Sequence, residues 1–316
     1  MSNILTIGEA MGLFVSQEIG ELKDTENYKR LVSGAEVNVS IGVTRLGHKV
    51  SFFTQLGKDP LGNHIIDFLK KENIDTSKIL QIENYNTGIQ LKGKTQVGDP
   101  EIFYYRKNSA ASKMTIDNLK EISFDDIDLL HITGIFMALN DDTFKLVEEL
   151  VKKARKNNVK ISFDPNLRPS LWESKEKMVE RINYIGSLSD YFLPGYGEAK
   201  ILTNLEDLDE IADFYLNKGI KFIVFKMGSE GCIAYVKGNK KTKYESKGFR
   251  VDKIVDTVGA GDGFAVGIIT GLLEDLSIQD ILKRANAIGA IQITHQSDNE
   301  GLPNNENLEE FINKNS

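Results

Sequence analysis

The stretch DTVGAGDGFAVG, residues 256–267, begins as a glycine-rich loop and continues as an apolar helix. Val266, Ile269 and Leu273 recur at helical spacing, which places the small residues Gly259, Ala260 and Gly261 at the N-terminus of that helix. The first N–H groups of a helix have no partner within it, and the helix dipole favours negative charge there. The small side chains leave room for an anion, so this stretch predicts a phosphate site.

Asp262 is the one acidic residue among these small ones. A carboxylate repels phosphate, so we interpret it as a base directed at a substrate hydroxyl beside the phosphate. The alternative is an aspartate that caps the helix. The stretch lacks the Gly-Lys-Ser/Thr ending of a P-loop, and it lacks the acidic residue that follows a dinucleotide-binding G-x-G-x-x-G.

Composition narrows the range of partners. The 316 residues carry a net charge of −7 without a basic patch, so no nucleic-acid partner is expected. Cys232 is the only cysteine, which excludes an intramolecular disulfide and fits a reducing compartment. The N-terminus reads directly into a strand, and no apolar run approaches membrane-spanning length. We therefore expect a cytoplasmic protein with no membrane partner.

Short apolar runs alternate with helical patterns along the chain. Asp59 and Pro60 mark one helix start as cap and first residue, and Gly47 can end the helix before it. The strand-like runs are NILTIGEA, KVSFFTQLG, IDLLHITG, NVKISFDPN, DYFLPG and IKFIVFKMG. This alternation predicts an α/β fold, a mostly parallel, doubly wound sheet flanked by helices, in a single domain over residues 1–316.

Two segments interrupt that alternation. Residues 11–33 carry short extended pieces, and residues 86–107 read as a hairpin around a VGDP turn. We interpret both as lid segments over the carboxyl ends of the strands, where open α/β sheets bind ligands. The alternative is an edge hairpin that extends the main sheet.

The same glycine-rich stretch, DTVGAGDGFAVGI, resembles the C-terminal signature of the PfkB, or ribokinase-like, carbohydrate kinases. GAEVNVSIGVTRLG followed by FFTQLGKDPLGNHI resembles their N-terminal signature, in the expected order. The resemblance covers essentially the whole chain and implies a ribokinase-like fold with a small β lid. It implies ATP and Mg²⁺ as cofactors, Asp262 as the catalytic base, and the N–H groups of Gly259 to Asp262 as an anion hole.

Within this family, GAEVN, YYR, SAAS and DPNLRPSLW are most similar to 2-keto-3-deoxygluconate kinases. That likeness implies phosphorylation of the terminal hydroxyl to give the 6-phosphate. The substrate carries a carboxylate, which the planar fork of arginine fits, and Arg106 and Arg168 are the candidates. The alternative for each arginine is a surface salt bridge.

The resemblance also implies other sugar contacts. Gly34 would lie against the sugar with its backbone, Tyr104 would form an apolar wall, and Asp298 would bond a hydroxyl. The alternatives are core packing for Tyr104 and a turn residue for Asp298. Gln90 stands where these kinases usually have tyrosine, which leaves the selectivity between epimers at C4 open.

For ATP the candidates are Lys226, Gly228 and Gly231 after a strand, Asn166, and Asn286 facing the adenine. The alternatives are turn glycines and a polar residue on a helix surface. The family's Asn-x-x-Glu motif for magnesium reads GYGE here: Gly195 replaces the asparagine and Glu198 remains. We therefore expect Mg²⁺ to be held mainly by phosphates and water.

Other functions remain open at this point. They are a fructokinase or ribokinase of the same family, and a sugar- or nucleotide-binding regulator without catalysis; an NAD-dependent oxidoreductase is disfavoured because the dinucleotide fingerprint is missing. A homo-oligomer through the lid is predicted as well. The apolar residues Ile89, Leu91, Ile102 and Tyr104 alternate along its two strands, and a two-stranded ribbon that exposes them is marginal alone.

Overall fold

The computed structural model describes residues 1–95 and 100–315. The strands are β1 (Asn3–Ile7), β2 (Met11–Ser16), β3 (Tyr28–Ser33), β4 (Lys49–Gly57), β5 (Ile79–Ile82), β6 (Ile89–Lys92), β7 (Ile102–Tyr105), β8 (Leu129–Thr133), β9 (Lys160–Asp164), β10 (Tyr191–Phe192), β11 (Phe222–Lys226), β12 (Cys232–Lys237) and β13 (Lys241–Ser246). The helices are α1 (Ala35–Arg45), α2 (Pro60–Lys71), α3 (Gly134–Met137), α4 (Asp141–Lys156), α5 (Lys175–Leu188), α6 (Tyr196–Thr203), α7 (Leu208–Asn217), α8 (Ala260–Leu273), α9 (Ile278–Gln292) and α10 (Asn305–Lys314).

The main sheet has the strand order β13-β12-β11-β10-β9-β8-β1-β4-β5. From β11 to β5 every neighbouring pair is parallel, and β12 and β13 add an antiparallel end. Helices cover both faces: α4, α5, α6 and α7 contribute to one apolar core, and α1, α8 and α9 to the other. The prediction of a mostly parallel, doubly wound α/β sheet is confirmed.

Local sequence signals set the helix ends near the site. The Asp59 side chain accepts a hydrogen bond from the Gly62 N–H at 2.7 Å, and Pro60 is the first residue of α2. The helix α1 ends before Gly47, whose φ of 92° lies in the left-handed region that favours glycine. Both predicted boundaries are confirmed.

A second sheet with the order β3-β2-β6-β7 is separate from the main one. We call this four-stranded sheet the lid. Strands β2 and β3 pair antiparallel, as do β6 and β7, while β2 and β6 are parallel. The alternative of an edge hairpin on the main sheet is wrong. The hairpin itself is confirmed, but residues 97–99 of its predicted turn lie outside the described residues.

The two faces of the lid differ from the prediction. Leu91 pairs with Phe103 and Ile89 with Tyr105, whereas Gln90 pairs with Tyr104 and Lys92 with Ile102. Directly paired residues share a face, and successive residues alternate between faces. The prediction of one apolar face that contains Ile89, Leu91, Ile102 and Tyr104 is therefore wrong, because the register places the last two on the opposite face.

No helix within the described part of the chain is both long enough and apolar enough to cross a bilayer.

Candidate active site

A pocket of about 480 Å³ lies between the lid and the carboxyl ends of the main-sheet strands β8, β9 and β11. This is the edge at which open parallel sheets bind ligands. Most of the residues singled out in the sequence meet there: Gly34, Gln90, Tyr104, Arg106, Asn166, Arg168, Glu198, Lys226, Gly259, Gly261, Asp262 and Asp298.

Three residues predicted to bind ATP do not line this pocket. Gly228 and Gly231 form a turn after β11 with φ of 62° and 103°, and a Cβ on Gly231 would come within 2.1 Å of the Ser246 carbonyl oxygen. The Asn286 amide donates to the Ser246 carbonyl and to its hydroxyl, each at 3.1 Å. Gly231 and Asn286 therefore lie against the end of β13 and Lys247, and the predicted contact of these three residues with ATP stays a prediction.

The first turn of α8 presents unpaired donors to the pocket. Gly259 precedes the helix with φ of 81°, and a Cβ there would meet the Asp298 carbonyl oxygen at 2.2 Å. The N–H groups of Gly261 and Asp262 have no acceptor among the described residues. The Ala260 N–H already donates to the Thr257 carbonyl oxygen at 3.4 Å, and Ala260 does not line the pocket, so it is not one of the free donors. The Lys226 ammonium lies 3.7 Å from where a Cβ of Gly261 would be. The helix end and the ammonium thus face one space suited to an anion.

Two amides hold the carboxylate of Asp262. Asn38 on α1 donates to its Oδ2 at 2.7 Å, and Asn166 after β9 donates to its Oδ1 at 3.3 Å. No described backbone N–H donates to it, so the helix-cap alternative is wrong. Burial raises the pKa of Asp262 to about 6, although the bond from Asn38 opposes that rise. A carboxylate with this pKa is ionised at neutral pH and is a stronger base than an exposed aspartate.

Lys226 at the end of β11 forms an ion pair with Asp164 at the end of β9, at 2.7 and 2.9 Å. Burial opposes the charge on its ammonium, but Asp164 and Glu198 hold the pKa above the usual lysine value. The cation is thus kept charged beside the helix N-terminus, at the end of the pocket suited to a phosphate.

Glu198 caps the helix α6 as well as lining the pocket. Its Oε2 accepts from the Gly195 N–H and its Oε1 from the Leu167 N–H, both at 2.6 Å. Among residues 1–95 and 100–315, no group of three or more histidines, cysteines or acids could enclose a metal ion. A carboxylate with two bound N–H groups fits a Mg²⁺ ion that keeps most of its water and phosphate ligands.

The two candidate arginines differ in their environment. Arg106 is buried and pairs with Glu9, its Nε lying 2.8 Å from Oε2, and Ser109 donates to the other oxygen of Glu9. Arg168 is exposed at the pocket rim and donates to the Leu167 carbonyl at 3.0 Å. It forms no ion pair with a described residue. The surface-salt-bridge alternative is therefore wrong for both, and Arg168 is the better candidate for a substrate carboxylate.

The remaining sugar-side residues line the lid half of the pocket. Gln90 is buried and its Oε1 accepts from the Ser33 hydroxyl at 2.8 Å. Tyr104 keeps 39% of its surface exposed, which rules out core packing. Gly34 has φ of 144°, and a Cβ there would meet the Glu9 carbonyl oxygen at 2.6 Å. These residues offer one amide, one aromatic face and one bare stretch of backbone.

Asp298 is not a simple turn residue. It is buried, and its Oδ1 accepts from the Lys92 ammonium at 3.3 Å. Burial raises the pKa of Asp298, and Lys92 opposes the rise. Lys92 bonds Oδ1, and a contact between this carboxylate and a sugar hydroxyl stays a prediction.

Sequence reasoning missed several residues that line the site or bond to residues in it. Asn38 follows Gly34 by one helical turn. This spacing places the two residues on the same side of α1, and it was the one signal in the sequence that could have identified Asn38. Lys92 follows Gln90 by two residues on one strand and so shares its face. Glu36 is buried at the pocket floor, where burial raises its pKa to about 7 and Thr133 donates to it at 2.5 Å. The burial of one acid in a helix that also carries polar residues has no signal in the pattern alone.

Several known proteins are similar to this chain over nearly its whole length. A 2-dehydro-3-deoxygluconokinase of Bacillus subtilis (strain 168) is 42% identical over 309 residues, which cover 98% of this chain and 94% of that protein. The crystal structure of a PfkB protein from Polaromonas sp. JS666 is similar with a TM-score of 0.88 and 36% identity, over 98% of this chain and 99% of that one. A putative ribokinase II from E. coli, in complex with ATP and Mg²⁺, is similar with a TM-score of 0.89 and 26% identity, over 99% and 100%.

The sequence model of the pfkB family carbohydrate kinases matches residues 1–305, nearly the whole chain. The chain belongs to the pfkB family of carbohydrate kinases.

Proposed function

We propose that this chain is an ATP-dependent kinase that phosphorylates the terminal hydroxyl of 2-keto-3-deoxygluconate, giving 2-keto-3-deoxy-6-phosphogluconate. The observation that carries the proposal is one pocket that holds a base, an anion site and a cation without an acidic partner among the described residues: Asp262, the first turn of α8, and Arg168. The 42% identity to a 2-dehydro-3-deoxygluconokinase supports this substrate, because 2-dehydro-3-deoxygluconate and 2-keto-3-deoxygluconate are the same sugar acid.

The residues divide the reaction between them. The sugar acid binds with its carboxylate toward Arg168 and its terminal hydroxyl toward Asp262. The Asp262 carboxylate takes the hydroxyl proton as that oxygen attacks the γ-phosphorus of ATP in line with the leaving oxygen. The N–H groups of Gly261 and Asp262 and the Lys226 ammonium stabilise the charge on the transferred phosphoryl. Asn38 and Asn166 keep the carboxylate aimed at the hydroxyl.

Glu198 is the residue we propose to hold magnesium, through bound water or directly. When bound, Mg²⁺ neutralises phosphate charge and orients the phosphoryl oxygens. The ATP and Mg²⁺ named for the E. coli ribokinase II structure support this requirement. The protein's own part is to place one carboxylate beside the Lys226 ammonium, with its two oxygens fixed by backbone N–H groups.

The lid completes the pocket. Gln90 and Tyr104 reach the sugar from it, so closure would exclude water from the γ-phosphate and favour transfer over hydrolysis. We treat residues 1–316 as one kinase domain with this lid, which the family match over residues 1–305 supports.

A kinase assay on a panel of substrates tests the proposal. We expect the kcat/KM for 2-keto-3-deoxygluconate to exceed that for ribose and fructose by ~10–100-fold, the typical value of one charge-assisted bond to the carboxylate. The panel includes the C4 epimer, 2-keto-3-deoxygalactonate, to measure the selectivity at C4 of a pocket that has Gln90 in place of the usual tyrosine. A preference for a neutral sugar would replace the sugar-acid assignment with a fructokinase or ribokinase, and single-turnover assays without any phosphate transfer would indicate a binding regulator.

The activity should fall at acid pH because Asp262 must be ionised to accept a proton. Burial raises its pKa to about 6, so below that pH its native form is protonated and kcat/KM should drop about tenfold per pH unit. The check is a pH profile at saturating Mg-ATP, compared with Glu36→Gln, which removes the neighbouring acid whose pKa is about 7. An unchanged rate down to pH 5 would contradict the role of Asp262.

We also propose a homo-oligomer through the outer face of the lid. Phe103 and Tyr105 are 51% and 61% exposed, and Leu91 lies beside them across the strand pair. Pairing two lids across a two-fold axis would bury these side chains and protect the edge strands β3 and β7.

Light scattering at micromolar concentration checks the assembly, since the chain alone has a mass of 35.3 kDa. We expect a multiple of that mass, and we expect Leu91→Asp and Phe103→Asp each to reduce it. Ile102→Asp is the control, because Ile102 lies on the pocket face and should affect sugar binding instead. A wild-type mass near 35 kDa would contradict the oligomer, and a multiple that neither outer-face substitution changes would place the contact elsewhere.

A further inference from the structure

Lys92 is a buried cation that the proposed reaction does not use. It extends from β6 of the lid, and its ammonium lies 2.5 Å from Asp256 Oδ2 and 3.3 Å from Asp298 Oδ1. The three side chains are nearly inaccessible, with 4%, 10% and 5% of their surfaces exposed. Charged groups are rarely buried unless they are paired. Here the ammonium of Lys92 compensates the charge of the two nearly inaccessible carboxylates.

Both carboxylates belong to segments that shape the anion site. Asp256 begins the loop that leads to α8, and its other oxygen accepts from the Val258 N–H at 3.1 Å. Asp298 lies in a second loop, and its carbonyl oxygen is where a Cβ on Gly259 would collide. The ammonium therefore joins the lid to both loops that meet at Gly259.

The second loop also reaches the predicted base. Asn299, next to Asp298, donates to Asn38 Oδ1 at 3.1 Å, and Asn38 donates in turn to Asp262. Lys92 itself lines a separate cavity of about 410 Å³, together with residues 253–257 and 296–297. It does not line the pocket of Asp262.

We propose that Lys92 is a positioning residue for phosphoryl transfer: by bridging Asp256 and Asp298 it holds the loop before α8 so that the N–H groups of Gly261 and Asp262 point at the phosphoryl group. The cation comes from the lid, so the anion site is ordered by the same sheet that contacts the sugar. This inference rests on the proposed role of the anion site.

Lys92→Met tests the proposal, since methionine keeps the length and removes the charge. We expect kcat to fall ~10²-fold, the usual effect of a misplacement of about 1 Å, while the KM for the sugar acid stays within about threefold. Lys92→Arg should retain most of the activity. Lys29→Met is the matched control: Lys29 is a lid lysine that pairs with Glu300 of the same second loop, at 3.0 Å, but on the surface. It should leave kcat within about twofold.

Chemical rescue separates positioning from a merely structural role. The rescue uses Lys92→Ala, because alanine vacates the place of the lysine chain, which methionine fills. The cavity beside that place admits a small cation, so ethylammonium chloride should restore the kcat of Lys92→Ala by ~10-fold in a saturable way, while tetramethylammonium, which has no N–H, should not. A raised sugar KM with no rescue would overturn the proposal, as would a Lys92→Met enzyme with normal kcat.

Two further variants keep the outcome decisive. If Lys92→Met does not fold, Asp256→Asn is measured in its place; we expect a ~10-fold lower kcat at an unchanged sugar KM, and a normal kcat overturns the proposal. Asp262→Asn is assayed in parallel with ethylammonium and should not be rescued. If Asp262→Asn remains active, the proposed catalytic site is wrong; if it is inactive while Lys92→Met is normal, only the role of Lys92 is wrong.

Discussion

The substitution Asp262→Asn is expected to lower kcat by ~10²–10⁴, the usual contribution of a positioned general base. An asparagine has nearly the same shape, so it leaves the first turn of α8 and the Lys226 ammonium in place, and the KM for ATP should change little. The expected loss of kcat arises because asparagine cannot accept the proton of the substrate hydroxyl. No other described carboxylate is held by two amides at the start of α8 and could replace Asp262. Steady-state kinetics with both substrates varied provide the measurement.

Stability measurements control for misfolding in this variant. Burial raises the native pKa of Asp262 above its unfolded value, so above pH 6 the ionised side chain disfavours the folded state. Asp262→Asn should therefore be at least as stable as the wild type at pH 8, and this advantage should shrink as the pH falls through 6 toward 4. A variant that is well folded yet turns over near the wild-type rate would remove Asp262 from the mechanism.

The second large effect is expected at the pocket rim. Arg168→Ala should raise the KM for the sugar acid by ~10–100-fold, since a charge-assisted bond contributes about 1.5–3 kcal/mol. The KM for a neutral sugar and for ATP should change far less. The physical reason is that Arg168 has no acidic partner among the described residues, so a substrate carboxylate would be its counter-ion.

Arg106→Ala is the contrasting variant. It leaves the Glu9 carboxylate buried without its cation, so we expect a lower melting temperature together with the loss of activity. Arg168→Ala should melt like the wild type. Equal losses for the sugar acid and the neutral sugar in Arg168→Ala would show that this arginine is structural or contacts ATP.

The main elements of the fold follow from local patterns in the sequence. Period-two and period-3.6 patterns, Asp59 as a cap and Gly47 as a stop depend on neighbours in the chain, and the structure has them as predicted. The lid faces were not predictable in the same way. Which residues of β6 and β7 share a face depends on their register, which the turn and the long-range packing set.

The site residues also divide into those that local sequence reveals and those that depend on long-range packing. Asp262 and the small residues before it were identified because loop and helix start are adjacent in sequence. The partners that distinguish the two arginines lie far away in the chain: Glu9 is 97 residues from Arg106. Asn38 and Asp262 are 224 residues apart, and Lys92 and Asp256 are 164 apart. Hydrogen bonds over such separations depend on how the main sheet and the lid pack together. A short stretch of sequence carries no information about that packing.

The most direct test of the central claim is to identify the product and the dependence of ATP consumption on the sugar. The enzyme is incubated with Mg-ATP and 2-keto-3-deoxygluconate, and the phosphorus spectrum is recorded by NMR. The account predicts one equivalent of ADP for each new phosphate ester, with the phosphorus coupled to the protons on C6, and little ATP loss without the sugar acid. Release of inorganic phosphate at the same rate with or without the sugar, or an ester at another carbon, would contradict it.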